Sequence, residues 1–220
     1  MGRVRVYIAS SLDGFIAGPH DDIAWLEAPR PAWAPMAAAP WASTAPDAVG
    51  YDEFMADVGA ILMGRRTYDV VASMDIEWPY GDVPVIVATA RPLEPEAPTV
   101  TAASAPIDNL VEEAREAARG KDVYVDGGSI IRQALDAGLI DELIVTLHPT
   151  LLGAGHPLFA GVEARHHITV VDVRRYGDGL VQLTLTPARE PQDVSAVPEG
   201  GGPAADVEDK DPGEPPLGLA

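Results

Sequence analysis

The sequence predicts an α/β fold: a mostly parallel central sheet with helices on both faces and an antiparallel pair of strands at its C-terminal end. Along most of the chain, short runs rich in β-branched residues alternate with helical segments. A helical connection usually returns the next strand parallel to the one before it, so the alternation indicates a parallel sheet. Near the end, two apolar runs flank Gly177, Asp178 and Gly179, which is typical of a hairpin.

The individual elements follow from local patterns. The opening segment alternates apolar and polar residues, as a half-buried strand does. The best-marked helix has Pro106 near its start, an apolar face, and Gly120 just beyond its end. The predicted strands are 3–10, 60–64, 83–89, 99–105, 122–125, 141–153, 167–176 and 180–186. The predicted helices are 51–59, 65–74, 106–120 and 129–138.

Composition excludes several classes of function. The 220-residue chain has no cysteine, so disulfides, thiolate nucleophiles and cysteine-ligated zinc are excluded, and a cytoplasmic protein is expected. Its net charge of −19 disfavours nucleic acid as a partner. No apolar run reaches the roughly 20 residues that a membrane-spanning helix needs, so no membrane is expected either.

The domain organisation is predicted to be simple. Residues 1–187 form one α/β domain, and residues 188–220 are rich in proline, glycine and acids, which predicts a disordered tail. The segment 27–46 contains five prolines that prevent a continuous helix. Its tryptophans, Trp33 and Trp41, favour a segment that packs on the domain. Either a lid over a substrate or a plain insertion fits this pattern.

Two adjacent glycines, Gly127 and Gly128, follow the strand at 122–125 and precede a helix. In open α/β sheets, ligands bind beyond the carboxyl ends of strands, where helix N-termini present unpaired N–H groups. Those groups and the helix dipole favour a phosphate, and Ser129 could cap the helix or donate its hydroxyl. The alternative is a turn that needs glycine for its backbone conformation alone.

Two further strand ends carry residues suited to phosphate. They are Gly64, Arg65, Arg66 and Thr67 after one strand, and Thr89 and Arg91 after the next. Arginine suits phosphate because its guanidinium forms two parallel hydrogen bonds. Adjacent arginines are also common as a solvated surface pair. Three successive strand ends of this composition nevertheless predict one extended, phosphate-rich ligand.

The common alternatives are absent from the sequence. It lacks the G-x-G-x-x-G and P-loop motifs and the G-x-S-x-G nucleophile elbow. Its five histidines lack the spacing of metal ligands, so no metal is predicted. The segment 151–159, which contains Gly153 and Gly155, is predicted to be a loop.

Three motifs together resemble the dihydrofolate reductase-like superfamily, and more closely the stand-alone relatives of the reductase domain of bacterial riboflavin biosynthesis. They are "IASSLDGFIAG" at 8–18, "ILMGRRTYD" at 61–69, and the segment that starts with "VDGGSIIRQALDAG" and runs over 125–159. Their order and spacing match over roughly residues 3–186. The resemblance implies the predicted sheet, NADPH as hydride donor, and a homodimer with the C-terminal strands in contact.

The resemblance also assigns cofactor roles to individual residues. Those matching the 2′-phosphate and pyrophosphate segment are Gly64, Arg65, Arg66 and Thr67, with Thr89 and Arg91 on the next loop. Those matching the nicotinamide end are Gly127, Gly128, Ser129 and Ile130, with Ala9, Ile16 and Ala17 on a strand and mobile loop that close over the ring. In folate reductases the glycine run is longer, and here Asp126 stands at its first position.

The proton donor is the open point of the site. Folate reductases carry the acid on the helix before the "MGR" strand, here 51–59, and its periodicity makes Asp52 the best candidate there, with Asp47 outside the helix. Asp13, in the loop expected to border the substrate, is the second candidate. The alternative for Asp13 is a turn aspartate beside Gly14.

The resemblance implies a reductase that transfers a hydride from NADPH to a C=N or C=C bond of a small molecule. The resemblance implies a pterin-like or other nitrogen heterocycle as substrate and leaves open which one. The segment "GRRTYD" looks closer to folate reductases than to riboflavin-pathway reductases. The alternative is a non-catalytic nucleotide-binding protein that keeps the cofactor fold.

Overall fold

A central sheet of eight strands organises the chain in the computed structural model, which describes residues 2–27, 50–176 and 179–188. The strands are β1 (Val4–Ser11), β2 (Phe15–Ala17), β3 (Val58–Gly64), β4 (Val85–Ala88), β5 (Val100–Ala103), β6 (Asp122–Asp126), β7 (Glu142–His148), β8 (His156–Pro157), β9 (Ile168–Arg175) and β10 (Val181–Pro187). The helices are α1 (Tyr51–Ala56), α2 (Arg65–Ala72), α3 (Ile107–Ala118) and α4 (Gly128–Asp136).

The order of strands across the sheet is β5-β4-β3-β6-β1-β7-β10-β9. The six strands from β5 to β7 are parallel, while β10 pairs antiparallel with both β7 and β9. The predicted fold class is therefore confirmed. Because parallel strands end at the same edge, the segments that follow β1, β3, β4, β5 and β6 meet on one side of the molecule.

Helices cover both faces of the sheet. On one face, α3 and α4 bury their apolar stripes against β1, β3 and β6. The stripe of α3 consists of Leu110, Val111, Ala114 and Ala118, which recur at helical spacing. The other face packs under Phe54 of α1, Tyr68 of α2, and Tyr80 from the loop before β4. The aromatic residues thus lie on one side of the sheet, and the aliphatic helix contacts on the other.

The structure corrects three local boundaries. The helix predicted at 51–59 ends at Ala56, and β3 already begins at Val58. The strand predicted at 141–153 ends at His148, because Pro149 follows and cannot donate to a ladder. The segment predicted as a loop at 151–159 contains β8, which pairs antiparallel with β2.

Parts of two predictions lie outside the described residues: most of the 27–46 segment and nearly all of the 188–220 tail. Of the turn at 177–179, the structure describes only Gly179, whose N–H donates to the carbonyl of Tyr176 at 3.0 Å. Among the described helices, none combines the length and the apolar character that a membrane span requires.

A buried ionic cluster joins the three central strands at their amino ends. The guanidinium of Arg5 on β1 contacts Asp122 on β6 at 3.2 Å and Glu142 on β7 at 2.6 Å. The Arg5 side chain is only 7% exposed and also lies over the ring of Phe54, 4.8 Å from its centroid. A cation so placed compensates two carboxylates that would be costly to bury alone.

Replacing Arg5 by leucine is expected to lower the free energy of unfolding by about 3 kcal/mol, because two mostly buried carboxylates lose their shared cation. Arg3→Leu is the matched control. Arg3 contacts the same two carboxylates, but its side chain is 50% exposed, so its loss should cost under about 1 kcal/mol. Urea unfolding followed by tryptophan fluorescence measures both variants. Equal losses would contradict the importance of Arg5.

Candidate functional site

A cavity of about 760 Å³ opens at the carboxyl ends of the parallel strands. Its walls are the ends of β1, β3, β4, β5 and β6, the first turns of α2 and α4, and the small β2–β8 sheet. Of the predicted cofactor residues it brings together Ala9, Ile16, Ala17, Gly64, Arg65, Arg66, Thr67, Thr89, Gly127, Gly128, Ser129 and Ile130. The structure thus places the ends of β3, β4 and β6, the first and last of which lead into helices, around one space.

Arg91 is the predicted cofactor residue that does not line this cavity. It lines a shallower adjoining cavity of about 630 Å³ beside β5, and Thr89 borders both. The backbone N–H of Arg91 donates to the hydroxyl of Thr89 at 3.0 Å. The side chain of Arg91 is 69% exposed, so it lies at the outer rim of the site.

The glycine pair is explained first by packing within the chain. Gly127 has a φ of +89°, and a Cβ there would collide with the hydroxyl of Thr67 at the start of α2. A Cβ on Gly128 would lie 2.8 Å from the carbonyl of Pro157 and 3.2 Å from Ile16. A side chain at either position therefore meets protein before it meets a ligand. The turn alternative explains both glycines without a cofactor.

Three arginines give the cavity a cationic end, and each already has partners. Arg65 contacts Asp69 at 2.6 Å and donates to the carbonyl of Pro92 at 2.7 Å. Arg66 contacts His156 and lies 3.4 Å from Asp21. Arg132 donates to the carbonyl of Pro157 at 2.7 Å, which fixes β8 against α4. These bonds orient the guanidinium groups, while 62% of the Arg66 side chain stays exposed.

Neither predicted acid lies in the cavity lining. Asp13 accepts hydrogen bonds from the Ser11 hydroxyl at 2.6 Å and the Gly153 N–H at 2.7 Å. These bonds, that from Ser11 foremost, hold the pKa of Asp13 below its usual value. Asp13 is thus held as a carboxylate that ties the β1–β2 turn to the 150s loop. Its geometry is that of the turn aspartate that the sequence offered as the alternative.

Asp52 lies in the first turn of α1 with an exposed side chain. The inward residue of that helix is Phe54, whose ring packs on Tyr7 and Tyr124 at centroid distances of 5.0 and 5.1 Å. Asp47, the candidate outside the helix, falls outside the described residues. The structure brings neither Asp13 nor Asp52 to the cavity where the cofactor residues meet.

The carboxyl group that does line the cavity is Asp126, at the last position of β6. Burial raises its pKa to about 6, against the opposing effect of hydrogen bonds from the Gly127 N–H, at 2.7 Å, and from Tyr124. The Tyr124 hydroxyl also donates to the carbonyl of Tyr7 at 2.9 Å. That hydroxyl has a single proton, so the carbonyl competes with Asp126 for it.

Tyrosines surround this acid. Burial, and next the charge of Asp126, raise the pKa of Tyr124 and that of Tyr80, and they raise the pKa of Tyr51 to about 12. Tyr7 lines the cavity, and its ring contacts that of Tyr51 at 5.7 Å. Neutral hydroxyls and aromatic faces therefore lie beside one protonatable carboxyl.

Sequence reasoning noticed Asp126 only as a departure from a glycine run. Its position in the sequence could have identified it, because Asp126 directly follows a buried strand and directly precedes the two glycines at which a helix begins. A residue there points along the carboxyl edge of the sheet, where ligands bind. Arg132 and His156 were also missed, because helical and loop patterns do not show that they face this edge.

The sheet order, the antiparallel C-terminal pair and a cavity at the carboxyl edge define the dihydrofolate reductase-like class of α/β proteins. Within that class, a family model described as the RibD C-terminal domain matches residues 3–182. The chain therefore belongs to the RibD C-terminal domain family. The predicted family is confirmed.

Known relatives are similar over most of their length. The chain is 26% identical to the uncharacterized protein YyaP of Bacillus subtilis (strain 168) over 200 residues, which cover 82% of this chain and 93% of YyaP. It is 28% identical to YwjB of the same organism over 186 residues, which cover 82% of this chain and 95% of YwjB. Because both are uncharacterized, neither indicates a substrate.

Solved structures are similar in fold. A Shewanella sp. PV-4 protein assigned provisionally to riboflavin biosynthesis has a TM-score of 0.69 and 31% identity, covering 86% of this chain and 99% of its own. A Thermotoga maritima deaminase/5-amino-6-(5-phosphoribosylamino)uracil reductase has a TM-score of 0.55 and 17% identity, covering 85% of this chain and 57% of its own. At 17% identity, the second match shows the fold alone. Family and neighbours together support a reductase-like role.

Asp126→Asn should make stability less dependent on pH. A folded-state pKa of about 6, raised from 3.8, means that the folded chain holds this proton more tightly than the unfolded chain does. The wild type therefore loses stability as pH rises from about 4 to above 6, by about 3 kcal/mol for this group. Asparagine removes that loss, so the variant should gain on the wild type by about this amount between pH 4 and pH 8.

Asp13→Asn provides a control of opposite sign. The lowered pKa of Asp13 means that its carboxylate stabilises the fold above its unfolded pKa, a contribution lost as pH falls through the lowered value. This variant should therefore be weaker than the wild type at pH 8 and approach it at low pH. Urea midpoints across the pH range measure both variants. A constant difference between wild type and Asp126→Asn would contradict the raised pKa.

Proposed function

We propose that the chain is an NADPH-dependent reductase that acts on a C=N or C=C bond of a pterin-like or other nitrogen heterocycle. One observation carries the proposal. A single cavity at the carboxyl edge of the sheet combines two guanidinium groups, of Arg65 and Arg66, with a protonatable acid, Asp126. Reduction of such a bond needs these two functions: an anchor for a phosphate-bearing hydride donor and a source of a proton.

The residues present fit NADPH. Arg65, Arg66 and Thr67 would hold its phosphates at the start of α2, and Gly127 and Gly128 would present bare backbone beside them. Packing already requires these glycines, and the same requirement leaves the N-terminus of α4 open toward the cavity. Ile16 and Ala17 on β2 would cover the nicotinamide end. When bound there, NADPH would supply the hydride.

Asp126 replaces Asp52 and Asp13 as the proposed proton source. With a pKa of about 6, a useful fraction of the group is protonated near neutral pH, which suits a general acid. The Gly127 N–H fixes the orientation of the carboxyl, and the Tyr124 hydroxyl lies beside it. The ring of Tyr7, which lines the cavity, would pack on a flat heterocycle and restrict the approach of water. A pterin and a riboflavin-pathway pyrimidine both present such a ring.

The rival proposal is a non-catalytic nucleotide-binding protein. The arginines at the cationic end would serve a nucleotide-binding protein equally well, but such a protein does not need a partly buried acid with a raised pKa. Burying Asp126 costs stability near neutral pH, and a chain that only bound nucleotide would gain by losing it. For this reductase we also propose a cytoplasmic location, which the cysteine-free composition leads us to expect.

Titration with NADPH and NADH tests the cofactor part of the proposal. Quenching of tryptophan fluorescence should report binding. Arg65→Ala or Arg66→Ala should lower the affinity for NADPH by about tenfold or more, since each removes a charged hydrogen-bond donor to phosphate. Arg119→Ala, a substitution outside the cavity lining, is the matched control and should change nothing. Absence of NADPH binding to the wild type would overturn the proposal.

Turnover separates the reductase from its rival. NADPH oxidation would be followed at 340 nm against a panel of dihydropterins, dihydrofolate and aminopyrimidine ribosides with and without phosphate. Asp126→Asn should lower kcat by about a hundredfold or more while NADPH still binds. The wild-type rate should fall as pH rises above about 6, because the acid form is the active one. Binding without turnover on any member of the panel would favour the rival.

We also propose that two chains associate through β9. This strand is one of the two edges of the sheet, and Val170, Val171 and Val173 on it are 55–61% exposed. An edge of β-branched residues is suited to pairing with a second copy about a two-fold axis. The homodimer implied by the family resemblance would cover this edge.

Val171→Glu combined with Val173→Glu should convert the dimer to a monomer, because four carboxylates would face one another across the two-fold axis. Light scattering after size-exclusion chromatography measures the mass. Leu151→Glu, which adds a charge at a residue 70% exposed outside β9, is the control and should leave the dimer intact. A monomeric wild type would contradict this proposal.

A further inference from the structure

An acidic residue lies between the two arginines at the outer end of the site. Asp69 is on α2, one helical turn beyond Arg65, and its Oδ1 lies 2.6 Å from the Nε of Arg65. Its other oxygen, Oδ2, lies 3.8 Å from the guanidinium of Arg91. One carboxylate thus bridges two cations that follow different strands, Arg65 after β3 and Arg91 after β4.

The two arginines that Asp69 holds line adjoining cavities, although Asp69 itself lines neither. Arg65 lines the larger cavity and Arg91 the shallower one, and Thr89, Ala90 and Ser104 line both. The hydroxyls and guanidinium groups gathered there suit a phosphate monoester. A carboxylate suits a different group, since Asp or Glu commonly accepts hydrogen bonds from the hydroxyls of an adenosine ribose.

We propose that Asp69 sets the choice between NADPH and NADH, and that it acts against NADPH. The inference rests on the proposed function, because it concerns the adenosine end of the same cofactor. A 2′-phosphate must share or take the guanidinium groups that the carboxylate now holds, and two anions at one site repel. A 2′-hydroxyl carries no charge and has no such conflict. Asp69 would therefore reduce the preference for NADPH that Arg65, Arg66 and Thr67 provide.

The second bond of Arg65 makes the idea testable. Its Nη1 donates to the carbonyl of Pro92 at 2.7 Å, independently of Asp69. The loop that carries Pro92 is itself tied to α2, because the Tyr68 hydroxyl donates to the carbonyl of Glu94 at 2.9 Å. Arg65 accordingly stays oriented when the charge of Asp69 is removed. Asparagine keeps the size and an acceptor oxygen, so only the competing charge is lost.

The experiment compares the dissociation constants of NADPH and NADH by fluorescence titration. Asp69→Asn should raise the preference for NADPH over NADH by about fivefold, the scale expected for exposed ion pairs. Asp75→Asn is the matched control: it removes one carboxylate from an exposed residue just beyond α2 and should leave the preference unchanged. The gain should shrink as salt is added, since screening weakens both attraction and repulsion.

Fragments locate the effect on the molecule. Adenosine 2′,5′-bisphosphate should bind Asp69→Asn more tightly than it binds the wild type, whereas 5′-AMP should bind both alike. An unchanged or reduced preference for NADPH in Asp69→Asn would overturn the inference, and a reduction would make Asp69 a positioning residue for Arg65. A wild type that binds neither dinucleotide would overturn the proposed function and this inference together, so the two failures are distinguishable.

Discussion

The candidate site depends on one close approach between two strand-to-helix junctions. Gly127, at the end of β6, lies against the hydroxyl side of Thr67, at the start of α2, with no room for a Cβ between them. Because β3 and β6 are neighbours in the sheet, this contact aligns the N-termini of α2 and α4 along one edge. The arginines that follow β3 and the acid that ends β6 thereby face the same cavity. Widening that contact by a methyl group would separate the two halves of the site.

Most of the fold could be predicted from sequence, because its signals are local. Alternation of β-branched strands with helices gave the parallel sheet, and Pro106 with Gly120 bounded α3. Boundaries were missed where tertiary pairing decided them, as at Val58, which joins β3 instead of continuing α1. The short strands β2 and β8 have no local signal. They exist because residues about 140 positions apart pair, which no window of sequence contains.

The site was predictable in composition but not in chemistry. Residues such as Gly64, Arg66 and Thr89 follow strands directly, so their convergence could be read from topology. The acid that we propose, Asp126, could not be found in this way. Asp13 and Asp52 were favoured by motif position and helical periodicity, yet one is held by backbone amides and the other is exposed. What distinguishes Asp126 is its partly buried place beside tyrosines from β6, from α1 and from the loop before β4, an environment that exists only in the folded chain.

The wall formed by β2 and β8 also affects the order in which the chain can fold during synthesis. Asp13 holds Leu152 and Gly153, and Phe15 pairs with Pro157, so one wall of the cavity is built from segments at opposite ends of the domain. The central strand β1 likewise pairs only with β6 and β7, which begin at Asp122 and Glu142 and are therefore synthesised much later. A ribosome must release about two thirds of the domain before its first strand finds either neighbour. Until then the backbone of β1 is unpaired and prone to aggregation, and binding by a chaperone would protect it.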